Sequence, residues 1–251
     1  MAAITDRLFV ALQRLLPARA LGAAVGRLAA VRAPWFKDWQ IRTFARVYGI
    51  ATDEAERPVP AGYPTLNAFF TRALRAGARP VDPDPAAVVC PADGRVEQVG
   101  PIRHGELLQA KGHRYPLAAL LALPADTAAA YDGGAFVTIY LAPHDYHRVH
   151  MPLAGTITEV VHVPGRRLAV NPRTVAAVPG LFAANERVVC HARHGDHPFA
   201  VVLVGALNVA SISLAFTGPV RGTGNGRPAR VFPGPDDSAA GTPLAAGDLL
   251  G

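Results

Sequence analysis

Pro152-Leu153-Ala154-Gly155-Thr156-Ile157-Thr158-Glu159-Val160 reads as a turn feeding a strand: a proline and a glycine set the bend, and aliphatic residues follow where a sheet can take them inward. The same pattern, Pro-x-x-Gly-x-[Val/Ile]-x-x-Val, occurs at Pro91-Ala92-Asp93-Gly94-Arg95-Val96-Glu97-Gln98-Val99, a hint of internal duplication. From about Ala51 onward the chain is made of short Val- and Ile-rich runs between glycines and prolines. With 24 Gly and 23 Pro in the whole chain, this favours strands and tight turns over a helical bundle. Strands are expected at 135–141, 155–161, 187–192, 199–204 and 209–216. Short helices are expected at 65–73 and 117–121.

The first fifty residues have a different texture. Thr5 and Asp6 suit a helix cap, with Leu8, Leu12 and Leu15 on one stripe beyond it. Pro17 suits the opening of a second helix, in which Leu21, Val25 and Leu28 repeat the spacing. Arg7, Arg14, Arg19, Arg27 and Arg32 punctuate both. A membrane-spanning helix needs about 18 uninterrupted apolar residues, which no stretch here supplies. The arginines and Pro17 also break any run that would serve as a secretory signal core. A pair of basic amphipathic helices is suited to the headgroup plane of a bilayer, with the Leu/Val face buried and the arginines on lipid phosphates. Packing on their own domain is the plainer use of the same stripes.

A chain of 251 residues with 50% hydrophobic content can bury a substantial core. Its 25 Lys and Arg against 19 Asp and Glu give a net charge of +6, nearly all of the cations being arginine. Such a balance favours acidic lipid or nucleic acid. No reader module appears, nor any basic tract interleaved with aromatics, so nucleic acid is not an expected partner. Cys90 and Cys190 are the only cysteines, too few for a disulfide framework and outside any CxxC spacing. They point to a reduced, cytoplasmic compartment.

Chemistry concentrates in Tyr140-Leu141-Ala142-Pro143-His144-Asp145-Tyr146-His147-Arg148-Val149-His150-Met151-Pro152, where His147 and His150 stand three apart in an otherwise apolar stretch. Imidazole titrates close to neutrality, so two of them in a partly desolvated setting can divide proton acceptance and donation. His144, His147, His150 and Asp145 also have a spacing that zinc can use, as in a zinc hydrolase. However, no HExxH helix is present, and Pro143 and Pro152 bracket the run. No metal is expected. Asp93 precedes Gly94 in a turn, where an aspartate commonly serves only to form the bend.

The run resembles the YHRVHMP signature of the phosphatidylserine decarboxylases, pyruvoyl-dependent enzymes of phospholipid biosynthesis. Further segments are similar to that family in order and spread: Phe69-Phe70-Thr71-Arg72-Ala73-Leu74-Arg75 with Arg79-Pro80, Pro91-Ala92-Asp93-Gly94, Leu108-Gln109-Ala110-Lys111-Gly112-His113, Val163-Pro164-Gly165, Leu181 to Val188, and Val204-Gly205-Ala206. The resemblance implies decarboxylation of phosphatidylserine to phosphatidylethanolamine through a Schiff base with a pyruvoyl group, an electron sink formed by autocatalytic cleavage of a zymogen. It implies that Asp93 orients His150, that His150 activates the serine that becomes the pyruvoyl group, and that His147 protonates the carbon left by carbon dioxide. Family members carry that serine in a Gly-Ser-Thr shortly after a segment like Ala246 to Gly251. These residues are therefore expected to form most of a β chain, with the cofactor-bearing serine beyond Gly251 on a short α chain.

Lys111 and His113 lie near the implied pocket or are simply solvated, and Asn185, Glu186 and Arg187 are expected to brace loops. The fold expected is α+β and predominantly β. A barrel-sandwich-like catalytic domain of the lipoyl and biotinyl type over 49–251 would follow amphipathic membrane-associating helices over 1–48. The expected partners are phosphatidylserine, an anionic membrane surface and the α chain, with room for a homodimer of αβ units. The expected location is peripheral, on the cytoplasmic face of a bacterial cell membrane. A non-catalytic, membrane-attached binding module of barrel-sandwich type is the alternative.

Overall fold

A computed structural model describes residues 9–13, 17–207, 209, 211–233 and 241–251. The expected cap at Thr5 and Asp6, with Leu8 and Leu15, lies outside the described residues. Helix α1 (Ala18–Ala29) follows Pro17, and α2 (Pro34–Tyr48) starts on a proline whose missing N–H costs a first turn nothing. Ile41 on α2 is fully buried in a small core with Ile50, Tyr63 and Phe69. The apolar face of α2 is thereby tied to the segment after it. Helix α3 (Leu66–Phe70) is capped by the Thr65 hydroxyl, which accepts from the Ala68 N–H at 3.0 Å. It stops short of the expected 65–73 because the chain turns there, so that Leu74 can pair with Ala55.

The two glycines of the repeated pattern open two strands. Gly94 precedes β1 (Arg95–Pro101), which pairs antiparallel with β4 (Ala135–Tyr140) as a two-stranded ribbon. Between them β2 (Glu106–Leu108) and β3 (Arg114–Pro116) form a hairpin leading into the helix Leu117–Leu121. Gly155 opens β5 (Gly155–Val163), the hub of a five-stranded antiparallel sheet. One edge of β5 pairs with β6 (Arg187–His194), which continues through a tight turn into β7 (His197–Val204). Among the described residues between β7 and β10, the strands are the short pair β8 (Ser213–Leu214) and β9 (Gly218–Pro219). The other edge of β5 is shared by β10 (Ala229–Phe232) and β11 (Thr242–Leu244).

Each glycine sits where a side chain would not fit. A Cβ on Gly94 would meet the Tyr140 carbonyl at 2.5 Å, and one on Gly155 would meet the Arg193 carbonyl at 2.7 Å. Each strand also bulges at the same offset, between Val96 and Gln98 in β1 and between Ile157 and Glu159 in β5.

The central sheet is buried on both faces. Val161, Val163 and Val189 pack with Leu107, Tyr115 and Leu117. Ile157, Val160, Val188 and Cys190 pack on the opposite face with Met151 and Leu250. Met151 and Leu250 are fully buried, which at about 1.5–3 kcal/mol for such a side chain clamps the histidine run and the segment 247–251 to the core. Mixed helix and antiparallel sheet make the fold α+β, and among the described residues no sheet closes into a barrel. The expected strand over 209–216 is a correction: in the described part only Ser213–Leu214 is strand. Its backbone bonds go elsewhere, with Ala215 donating to Leu250 and Ile212 accepting from Val220.

Candidate active site

The histidine run leaves β4 at Tyr140 and bends at once. The Asp145 N–H donates to the Ala142 carbonyl at 2.9 Å, and its carboxylate accepts from the Ala142 N–H at 2.6 Å, closing a turn that projects the following residues back over the sheet. Beyond it, His150 forms a bridge with Leu249, while Val149 and Met151 exchange backbone bonds with Asp248, Gly247, Leu250 and Gly251. The His150 N–H donates to the Pro91 carbonyl at 2.7 Å, and the Val89 N–H donates to the Pro152 carbonyl at 2.8 Å. The turn carrying Asp93 is thus hydrogen-bonded alongside the run carrying both histidines.

The two imidazoles have different surroundings. His147 stacks on the Phe70 ring at 4.0 Å, and its Nε2–H donates to the Ala142 carbonyl at 3.0 Å. Burial holds its pKa below the ordinary histidine value, against the opposing pull of that carbonyl and of Asp145. His147 also lines a cavity of about 2020 Å³ whose walls include Phe44, Tyr48, Phe70, Leu249 and Gly251. His150 is not among the lining residues. Its Nδ1 lies 2.8 Å from the Gly247 carbonyl, which can only accept, so Nδ1 carries the proton. In the neutral ring Nε2 then accepts from the Tyr146 hydroxyl at 3.1 Å.

Asp93 is held by Arg79. The guanidinium donates to both carboxylate oxygens, Nε to Oδ1 at 2.9 Å and Nη2 to Oδ2 at 2.6 Å, and also reaches Glu54 at 3.0 Å. These two carboxylates hold the Arg79 guanidinium firmly in its charged form. The expected contact from Asp93 to His150 is replaced in this structure by the Gly247 carbonyl. A charged, bidentate arginine outcompetes a neutral imidazole for a carboxylate. Below them lies Arg72, 4% exposed, its guanidinium over the Phe69 ring and shifted towards the neutral form by burial.

Among the described residues no group of three His, Cys, Asp or Glu side chains has a metal-holding arrangement. His144 faces outward beside Asp145, while His147 and His150 are committed to Ala142, Gly247 and Tyr146. The Asn185–Arg187 corner braces loops as expected. Asn185 bonds Leu168 and Gly205 from full burial, and Arg187 donates to the carbonyls of Leu120, Ala183 and Asn185. Lys111 and His113 lie in the short turn between β2 and β3. Arg79, Tyr146 and Gly247 are the site residues that sequence reasoning did not assign. Arg79 and Tyr146 fell inside quoted motifs, whereas the role of Gly247 is a carbonyl contact that no residue type announces.

Two nearby histidines, an arginine-held carboxylate and a large apolar cavity thus come together on an α+β scaffold. The family model for phosphatidylserine decarboxylase matches residues 66–251, and a second, described as PSD, matches residues 8–49. The phosphatidylserine decarboxylase proenzyme of Pseudomonas aeruginosa (strain LESB58) is 54% identical over 215 residues, covering 86% of this chain and 74% of the relative. The proenzyme of Bordetella petrii is 52% identical over 215 residues, with 86% and 75% covered. That of Azotobacter vinelandii is 51% identical over the same length and coverage. The chain belongs to the phosphatidylserine decarboxylase family.

Proposed function

We propose that this chain acts as most of the larger subunit of a phosphatidylserine decarboxylase, which removes the head-group carboxylate to leave phosphatidylethanolamine. The relatives are proenzymes, and we assign the cofactor to a pyruvoyl group made from a serine downstream of Gly251. When present, that group supplies a carbonyl for the substrate amine and a sink for the electrons released with carbon dioxide. The backbone supports the fit. Leu249 pairs with His150 and Gly251 with Val149, which sets the segment 247–251 beside the run carrying both histidines.

The single observation that carries the division of labour is that His147 faces the cavity while His150 faces the segment 247–251. His150 presents an accepting Nε2, as a base for a hydroxyl requires, and Asp93 contributes a fixed negative charge nearby. His147, stripped of water, is a stronger acid when protonated than it would be in solution, which suits delivery of one proton to one carbon. The residues paired in this way work without a metal.

Residues 1–48 would then form a membrane-associating unit ahead of a catalytic domain over 49–251, the functional boundary falling where α2 ends at Gly49. No described helix is long and apolar enough to cross a membrane. Leu28, Trp35, Trp39 and Val47 are exposed on α1 and α2, amid Arg27, Arg32, Lys37, Arg42 and Arg46. Such a mixture suits an interface with anionic lipid on the cytoplasmic side. Gly22 and Gly26 of α1 join Phe44 and Tyr48 of α2 in walling the cavity that reaches His147, which offers a lipid head group a way in. We also take the strands opened by Gly94 and Gly155 as halves of a barrel-sandwich-like arrangement, supported by their matched bulges.

Mass spectrometry of the native protein tests the enzyme assignment. A short companion chain with a blocked, keto-bearing N terminus is expected. Its absence from a preparation that still decarboxylates phosphatidylserine would contradict the proposal, and chelator-sensitive turnover would favour a metal hydrolase. Deleting residues 1–33 should lower binding to anionic vesicles and slow turnover of long-chain lipid more than of a short-chain soluble analogue. Unchanged vesicle binding would mean that the helices only pack on their own domain.

A further inference from the structure

Tyr146 has no role in the scheme above, yet its hydroxyl is the group on the nitrogen of His150 that must take a proton. The ring is 8% exposed and lies parallel-displaced against the imidazole, with centroids 5.7 Å apart and planes at 26°. Burial pushes the phenol above its ordinary pKa, with the Asp93 charge acting in the same direction, so the oxygen keeps its hydrogen and donates. At the other end of the imidazole Nδ1–H donates to the Gly247 carbonyl at 2.8 Å. The ring is therefore held at both nitrogens by groups of opposite sense, a donor at Nε2 and an acceptor at Nδ1. Together these select one tautomer and one rotamer. Asp93, which bonds Arg79, supplies neither contact.

We propose that Tyr146 is a positioning residue for self-cleavage: its hydroxyl, with the Gly247 carbonyl, fixes the tautomer and aim of His150 and keeps Nε2 an acceptor until the attacking hydroxyl takes its place. The proposal rests on the assignment of His150 as the base. It adds that the orientation of His150 comes from a phenol and a backbone carbonyl. No covalent bond is made to Tyr146, and its proton stays on the phenol oxygen throughout.

The test uses the full precursor, including the downstream serine. Tyr146→Phe keeps the ring stack and removes only the donor, so the loss is that of one hydrogen bond, and self-cleavage should slow by about threefold to tenfold with an unchanged melting transition. In a precursor whose serine is alanine, histidine-selective nitrogen-15 spectra should place the proton on Nδ1 of His150, with Nε2 a hydrogen-bonded acceptor. Tyr146→Phe should move the Nε2 resonance to that of an unbonded acceptor. Wild-type cleavage by Tyr146→Phe would overturn the proposal, and so would slowed cleavage with an unmoved Nε2 resonance, which marks a merely structural role. The unsubstituted precursor is decisive even if Tyr146→Phe does not fold, because a proton on Nε2 of its neutral His150 would also refute the positioning role. Failure of the underlying assignment is separately visible, since His150→Ala would then cleave.

Discussion

Strands β1 and β5 start from one nine-residue pattern and meet very different neighbours. Val96 and Val99 in β1 are 54% and 65% exposed, whereas Ile157 and Val160, at the matching positions of β5, are fully buried. The shared features are local: a glycine where the next strand's carbonyl comes too close for a Cβ, and a bulge just after it. The differing features are set by what lies alongside. β5 has β6 on one edge and β10 and β11 on the other, whereas β1 has β4 alone. A short pattern can encode a turn and a kink, but the burial of its aliphatic residues depends on strands that arrive from elsewhere in the chain.

The comparison is sharpest at the matched aliphatics. Ile157→Ala should destabilise the fold by about 3 kcal/mol, through lost burial and a cavity with no room to collapse. Val96→Ala, on the exposed ribbon, should stay within about 0.5 kcal/mol. Denaturant melts of both variants check this, and equal losses would mean that the ribbon is covered in solution.

The glycines should behave alike despite their unlike surroundings. Gly94→Ala and Gly155→Ala are each expected to cost about 1–3 kcal/mol, because the atom that each new Cβ meets is backbone and cannot swing away. A neutral Gly94→Ala beside a costly Gly155→Ala would break the local half of the comparison, leaving burial as the sole determinant.

Where a local rule dominated, the residues were legible in the sequence. The expected strands at 135–141, 155–161, 187–192 and 199–204 correspond to β4, β5, β6 and β7, and the helix at 117–121 appears with those limits. The segment 209–216 misled because its alternating aliphatics do face one core, as those of a strand would, while its backbone bonds go to Leu250 and Val220 in place of a continuous partner strand. Ile212, Leu214 and Phe216 all join the core around Met151, although only Ser213–Leu214 is strand. Helix α2 was not singled out because it is apolar on two sides. Ile41 turns inward, while Trp35 and Trp39 stay exposed. At the site, two histidines and an aspartate were visible through residue chemistry and family resemblance. The commitment of Asp93 to Arg79 and of His150 to Gly247 joins residues 14 and 97 apart in sequence, an approach that no spacing encodes, whereas Tyr146 stands four residues before His150 inside the quoted run.

The division between His147 and His150 is tested most directly by following self-cleavage and carbon dioxide release together in the full precursor. His150→Ala should remain uncleaved and inactive. His147→Ala should still cleave, at least in part, while decarboxylation falls about a hundredfold, the scale expected for loss of a general acid. Each variant must first show a native-like melting transition. A folded His147→Ala precursor that stays as completely uncleaved as His150→Ala would contradict the division and make the pair a single unit of maturation.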